Sequence, residues 1–170
     1  LFIAREALDL HLKVAGDVVL PGVPLGRRLA GLMRAGLFYA AWYPTRWLGW
    51  GRWPQYAEFG PLAGHLRFVE RAARRLARQQ FHLMALHGPA LEKRQGLLFR
   101  CVDVGAELYA MAAVCARAAR DVKRDPANRT PYELADLFCR TSRRTVAALF
   151  AALGEHDDAA HSALARGVLE

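Results

Sequence analysis

Between Leu97 and Val114 the only charged side chains are Arg100, Asp103 and Glu107, spaced three and four apart, with apolar or small residues everywhere else. The segment is part of a helix predicted from Pro89 to about Lys123, ended by the Asp125, Pro126, Asn128 turn. A helix that is apolar nearly all round must be buried on several sides. This one stretch therefore demands several partner helices and places itself at the centre of them. The Arg100, Asp103, Glu107 stripe has the spacing of a structural ion pair. A carboxylate on so apolar a helix needs a cation if it is buried, so Asp103 is expected to be held by Arg100 or by an arginine on a neighbouring helix.

The remaining chain supplies those partners. Phe2 to about Ala15 has Ile3, Ala7, Leu10 and Val14 on one face, and Gly16 with Pro21 to Pro24 is expected to end that helix. A second helix should run from Pro24 towards Tyr43 and stop at Pro44. Pro44 to Pro61 is too rich in Gly and Pro for a helix, yet too aromatic for a solvated loop. Pro61 opens a long helix to about His87, with Leu66, Val69, Ala73, Leu76 and Leu83 as its apolar stripe and Arg67, Arg71, Arg74, Arg75 and Arg78 on another face. Thr130, Pro131 and Glu133 read as a capping box for a helix reaching Gly154, and a short helix follows from Asp157 to about Leu169. No alternating strand pattern, repeat or low-complexity tract interrupts this order. The expected fold is all-α, an antiparallel helical bundle with two long central helices. Residues 1–20 form a leading helix, 21–60 a variable aromatic, Gly- and Pro-rich segment, and 61–170 the bundle domain.

Catalytic patterns are absent from this sequence. The two serines, Ser142 and Ser162, have no nucleophile-elbow setting, and the six histidines include no H-E-x-x-H and no i, i+4 pair. His82 and His87 are five apart, as are His156 and His161, a spacing that points each pair to different helix faces. Phosphate-binding glycine loops and nucleic-acid-reading modules are missing too. Cys101, Cys115 and Cys139 are odd in number, form no C-x-x-C and sit in apolar helical pattern, so they read as buried free thiols of a reducing compartment. A net charge of +8 would ordinarily suggest a polyanionic partner. With 21 arginines against three lysines beside abundant Ala and Gly, it is instead the composition of a GC-rich coding sequence, and no nucleic-acid partner is expected.

One stretch reads as a contact surface. Leu32 to Trp53 combines an apolar run with Trp42, Trp47, Trp50 and Trp53 and with Arg34, Arg46 and Arg52, the mixture found where rings meet lipid headgroups. It is too short to span, because its longest uncharged run, Ala35 to Tyr43, has nine residues against the roughly 20 a transmembrane helix requires. The same tryptophans would equally serve to pack on an adjoining domain or to plug this domain's own core.

Gln95 to Arg120, "QGLLFRCVDVGAELYAMAAVCARAAR", resembles the core helix of the extra C-terminal helical domain in very-long-chain-type acyl-CoA dehydrogenases. Gln95, Leu97, Leu98, Arg100, Asp103, Leu108 to Met111, Val114, Arg117 and Ala118 fall at that family's positions without a gap. Leu1 to Glu6, "LFIARE", is similar to the helix after the family's glutamate-glycine-threonine-asparagine segment, and Asp136 to Arg144 resembles the next core helix. The resemblance implies a flavoenzyme parent in which a carboxylate removes the α-proton of an acyl-CoA while the β-hydrogen leaves as hydride to FAD. It implies that the catalytic glutamate and the FAD loop lie upstream of Leu1, so that this stretch has no catalytic residue and no cofactor of its own. The implied partners are the upstream dehydrogenase domain of the same chain, a second copy in a homodimer, electron-transferring flavoprotein and a membrane surface. The expected location, read mainly from the free thiols, is cytoplasmic, with peripheral contact at the inner face of the membrane as the alternative. The competing reading is a free-standing helical ligand-binding or scaffold module, such as the regulatory half of a transcription regulator.

Overall fold

The computed structural model describes residues 2–19, 22–49 and 53–169, with the backbone alone at 2–8, 12, 19 and 169. Leu1, Pro21, Trp50 and Arg52 lie outside the described residues. The fold is all-α: α1 Phe2–Val19, α2 Leu25–Leu48, α3 Ala63–His87, α4 Gln95–Arg124, α5 Thr130–Ala151 and α6 Asp158–Leu169, with 3-10 turns at Ala57–Leu62 and Gly88–Lys93. No strand occurs among the described residues.

α4 is the axis of the molecule. Leu97, Cys101, Val104, Leu108, Met111, Cys115, Ala118 and Val122 are all buried, and their spacing alternates four and three. That is a heptad seam, the pattern by which two helices interlock side chains along a shared line. α5 answers with Ala135, Cys139, Ser142, Val146 and Phe150, and it packs along α4. The link is short, from Asp125 to Arg129, so α5 must turn back antiparallel to α4. α3 covers another side of α4, and α1 packs chiefly on α2 while also touching α3 and α4. Each large side chain withdrawn along this seam contributes roughly 1.5–3 kcal/mol of transfer free energy.

Several boundaries differ from the sequence expectation, each for a local reason. α1 continues through Gly16 to Val19, because Gly16 is buried and packing offsets the roughly 1 kcal/mol that a glycine costs a helix. α2 does not stop at Pro44 but runs to Leu48. Pro44 and Ala40 both face solvent, so the carbonyl that loses its intrahelical donor is free to take water. α2 ends instead at Gly49, which adopts the left-handed conformation (φ 66°, ψ 37°) and donates its N–H to the carbonyl of Thr45. The capping box at Thr130 does not form. Thr130 is already helical, and its N–H is taken by the Asn128 side chain at 3.1 Å, an Asx turn that starts α5 one residue early. α4 begins at Gln95 rather than Pro89, because Gly88 (φ 50°, ψ −136°) diverts the chain into a 3-10 turn that buries Leu91.

α4 is also less enclosed than its composition suggests. Opposite the heptad seam, Phe99 is 49% exposed and Tyr109 77%.

Candidate interaction surface

α2 opens at Pro24 and crosses α1 at Gly31, where an added Cβ would stand 2.9 Å from Cβ of Asp17. Only glycine allows the two backbones this approach. The inward face of α2 is Gly31, Ala35 and Trp42. Trp42 is buried at the centre of a ring cluster from three helices: His11 stands edge-on at 4.9 Å, with Tyr39, Phe38 and Phe81 around it. The outward face carries Leu25, Leu29, Leu32, Met33 and Leu37, each between half and three-quarters exposed, followed by Trp47 and Leu48. α2 contains Arg27, Arg28, Arg34 and Arg46 and no acidic residue.

The tryptophans thus divide. Trp42 belongs to the core, Trp53 is 64% exposed, and Trp47 is exposed on one side while the Arg78 guanidinium lies 3.9 Å above its ring. The arginines are engaged as well: Arg34 pairs with Asp17 at 2.8 Å, and Arg46 sits 4.9 Å over the Trp42 ring. The start of this row, Leu25 and Leu29, lies upstream of the Leu32 to Trp53 stretch and escaped the sequence reading. Its signal was present as an i, i+4 recurrence of leucines on a helix without acids.

The Arg67 to Arg78 face of α3 is spent largely within the molecule. Arg67 donates to the carbonyl of Gln55 at 2.8 Å, Arg74 pairs with Glu70, Arg75 covers Phe150, and Arg78 donates to the carbonyl of Arg46. α3 also contributes buried His65, whose Nε2 lies 2.9 Å from Asp136 of α5; that hydrogen bond holds the Asp136 carboxyl below the usual carboxylate range.

The stripe on α4 is rearranged in the same way. Arg100 turns away from Asp103 and Glu107 and makes a two-pronged contact to Asp158 of α6, at 2.7 and 2.6 Å. Asp103 is exposed, so water meets the need that a buried carboxylate would have placed on arginine. Gly96 makes room for the pair, since a Cβ there would lie 2.6 Å from Asp158 Oδ2. The hydrogen bonds from Arg100 hold the Asp158 carboxyl below the usual carboxylate range. Asp103→Ala is therefore expected to change stability by less than about 0.5 kcal/mol. Arg100 and Asp158 should instead show a coupling of about 1 kcal/mol in a double-mutant cycle, lost when acid protonates Asp158. Additive Arg100→Ala and Asp158→Ala effects in urea unfolding would contradict this.

His11 makes stability pH-dependent. Its Nδ1 lies 3.0 Å from the Tyr39 hydroxyl, and burial first, then the nearby Arg46 charge, lower its pKa. The unfolded chain accepts a proton near pH 6.5 that the fold refuses. Stability from this group is thus complete above that pH and falls as pH drops below it. Urea midpoints measured from pH 7.5 to 5 should decline, and His11→Phe should flatten the decline.

A cleft of about 400 Å³ lies between the starts of α4 and α6, lined by Lys93, Arg94, Gln95, Asp158, His161 and Ser162 among others. Its lining is mostly charged or polar and has no Trp, Tyr or Phe for an isoalloxazine to stack on, so it does not fit a flavin. Among the described residues no cluster of three His, Cys, Asp or Glu could hold a metal, and no helix is long and apolar enough to cross a membrane.

Comparison with known proteins places these features in context. No family model matches the chain, and no solved structure matches it. Two proteins named "Probable acyl-CoA dehydrogenase FadE10", from Mycobacterium bovis and Mycobacterium tuberculosis, are each 48% identical to it over 172 aligned positions. The alignment covers 100% of this chain and 26% of each relative, so the chain spans about a quarter of their length. Along its entire length the chain is thus a relative of the acyl-CoA dehydrogenases, corresponding to one part of such a protein.

Proposed function

We propose that this chain is the helical domain of an FAD-dependent acyl-CoA dehydrogenase of the very-long-chain type, acting in fatty-acid β-oxidation as a structural and docking element. The observation that carries the reading is the 48% identity sustained over the whole chain with proteins named as acyl-CoA dehydrogenases. Proton removal and flavin reduction then belong to the rest of the protein. The residues here contribute a rigid α3–α4–α5 body and the outward row Leu25, Leu29, Met33 and Leu37, an apolar face that solvent alone would not favour. In this reading residues 1–20 continue from the dehydrogenase body, 21–60 form the contact segment and 61–170 the bundle. Electron-transferring flavoprotein and a second copy of the enzyme are partners of the whole.

A second reading of the contact face is supported by the charge of α2, four arginines and no acid beside exposed leucines, which suits the inner face of an anionic membrane. One experiment tests both. The full reading frame is expressed and its flavin absorbance followed as acyl-CoA substrates of graded length are added; bleaching is expected. Leu29, Met33 and Leu37 are then changed together to serine. Lost sedimentation with anionic liposomes at unchanged turnover supports the membrane face, whereas lost flavin or dimer supports docking on protein. A full-length protein that neither holds flavin nor responds to any acyl-CoA would overturn the dehydrogenase reading.

A further inference from the structure

Cys115 on α4 and Cys139 on α5 occupy facing positions on the heptad seam, both fully buried, with their Sγ atoms 3.6 Å apart. Their register follows from the hairpin: Cys115 lies nine residues before Arg124 (124 − 115), where α4 ends, and Cys139 nine after Thr130 (139 − 130), where α5 begins. The third thiol, Cys101, is on the same seam two heptads earlier and has no cysteine opposite it. We propose that Cys115 and Cys139 form a thiol oxidation site, a pair that a small two-electron oxidant of the peroxide class converts to a disulfide clamping α4 to α5.

The two thiols are chemically unequal. Either thiol can donate across the 3.6 Å contact, and Cys139 also reaches the Met111 carbonyl at 4.0 Å; when Cys115 ionises, Cys139 donates to its sulfur, which lowers the Cys115 pKa and raises that of Cys139. Cys115 is therefore the nucleophile. Its thiolate attacks one peroxide oxygen; the S–O bond forms, the O–O bond breaks, and the departing hydroxide takes up a proton to become water. Cys139 sulfur then attacks the Cys115 sulfenic sulfur; the S–S bond forms, and the hydroxyl leaves as water with the Cys139 proton. Two thiols lose two electrons and two protons, and one peroxide is reduced to two waters. Closing from 3.6 Å to the roughly 2.05 Å of a disulfide asks for side-chain rotation and a small shift between helices. Access is the rate-determining matter, because both sulfurs are shielded until the seam opens locally. Cys101, whose thiol burial pushes up to about 11, has neither an activating donor nor a resolving partner.

The test uses the full-length protein, reduced, then treated with hydrogen peroxide under native conditions, denatured, alkylated and mapped by mass spectrometry. An intact mass lower by about 2 Da before alkylation, and afterwards Cys115 linked to Cys139 with Cys101 alkylated, is expected, together with a Tm raised by about 5 °C. Cys101→Ser should keep the link. Cys139→Ser should leave Cys115 as a sulfenic acid that a dimedone-type reagent traps. Three alkylated thiols after native treatment, oxidation of Cys101 at the same rate as Cys115, or a link that forms only in urea would each overturn the proposal.

Discussion

Trp42→Ala is expected to destabilise the fold by about 3–5 kcal/mol, whereas Trp53→Ala should stay within about 0.5 kcal/mol. Sequence places both in one aromatic stretch, yet only Trp42 is 8% exposed, and it is ringed by His11, Tyr39, Phe38 and Phe81. Removing the indole deletes the centre of the cluster that ties α1, α2 and α3 together, and rigid neighbours can close only part of the cavity. Arg46 would also lose the ring beneath it. Trp47→Ala should fall between the two, since one face of its ring is covered by Arg78. Urea unfolding followed by far-UV circular dichroism measures all three. Equal effects for Trp42 and Trp53 would show that the stretch is one surface and that α2 is oriented differently.

The second large effect is expected at the α4–α5 seam. Met111 is 0% exposed, and its carbonyl approaches Cys139 of α5. Met111→Ala should cost about 2–5 kcal/mol, the range for emptying a large aliphatic site in a close-packed core. Tyr109, two residues away on the same helix, is 77% exposed, so Tyr109→Ala should change stability by less than about 0.5 kcal/mol. The contrast checks the register of α4: a rotation of the helix that buried Tyr109 would reverse the order of the two variants.

Much of this architecture is legible in the residues alone. The Leu97 to Val114 segment requires a central helix whatever its neighbours, because so apolar a helix finds no stable place in water. Gly88 and the Pro126, Asn128 turn mark where α3 and α4 end, since their backbone needs are local. The failures are equally local in origin but tertiary in outcome. Pro44 removes one donor from α2, and whether that breaks a helix depends on whether the orphaned carbonyl reaches water, which the orientation of α2 decides. The capping box fails because the Asn128 side chain accepts from the Thr130 N–H, the donor that the Glu133 carboxylate would have needed.

The partners of charged and aromatic side chains lie furthest from what sequence determines. Periodicity places Arg100, Asp103 and Glu107 on one stripe, but Arg100 finds Asp158 some 58 residues away because α6 returns to the start of α4. Composition gathers four tryptophans into one stretch, but the crossing of α1 and α2 at Gly31 sets which side of α2 faces inward, burying Trp42 and leaving the leucine row outside. Sequence by itself determined the helical class, the central helix and most helix limits, because these follow from backbone preference and the free energy of apolar burial within a single segment. Which side chains meet, and which apolar face remains for a partner, was decided only by tertiary structure, because a helix rotated by half a turn satisfies the same local preferences while exchanging its inside for its outside.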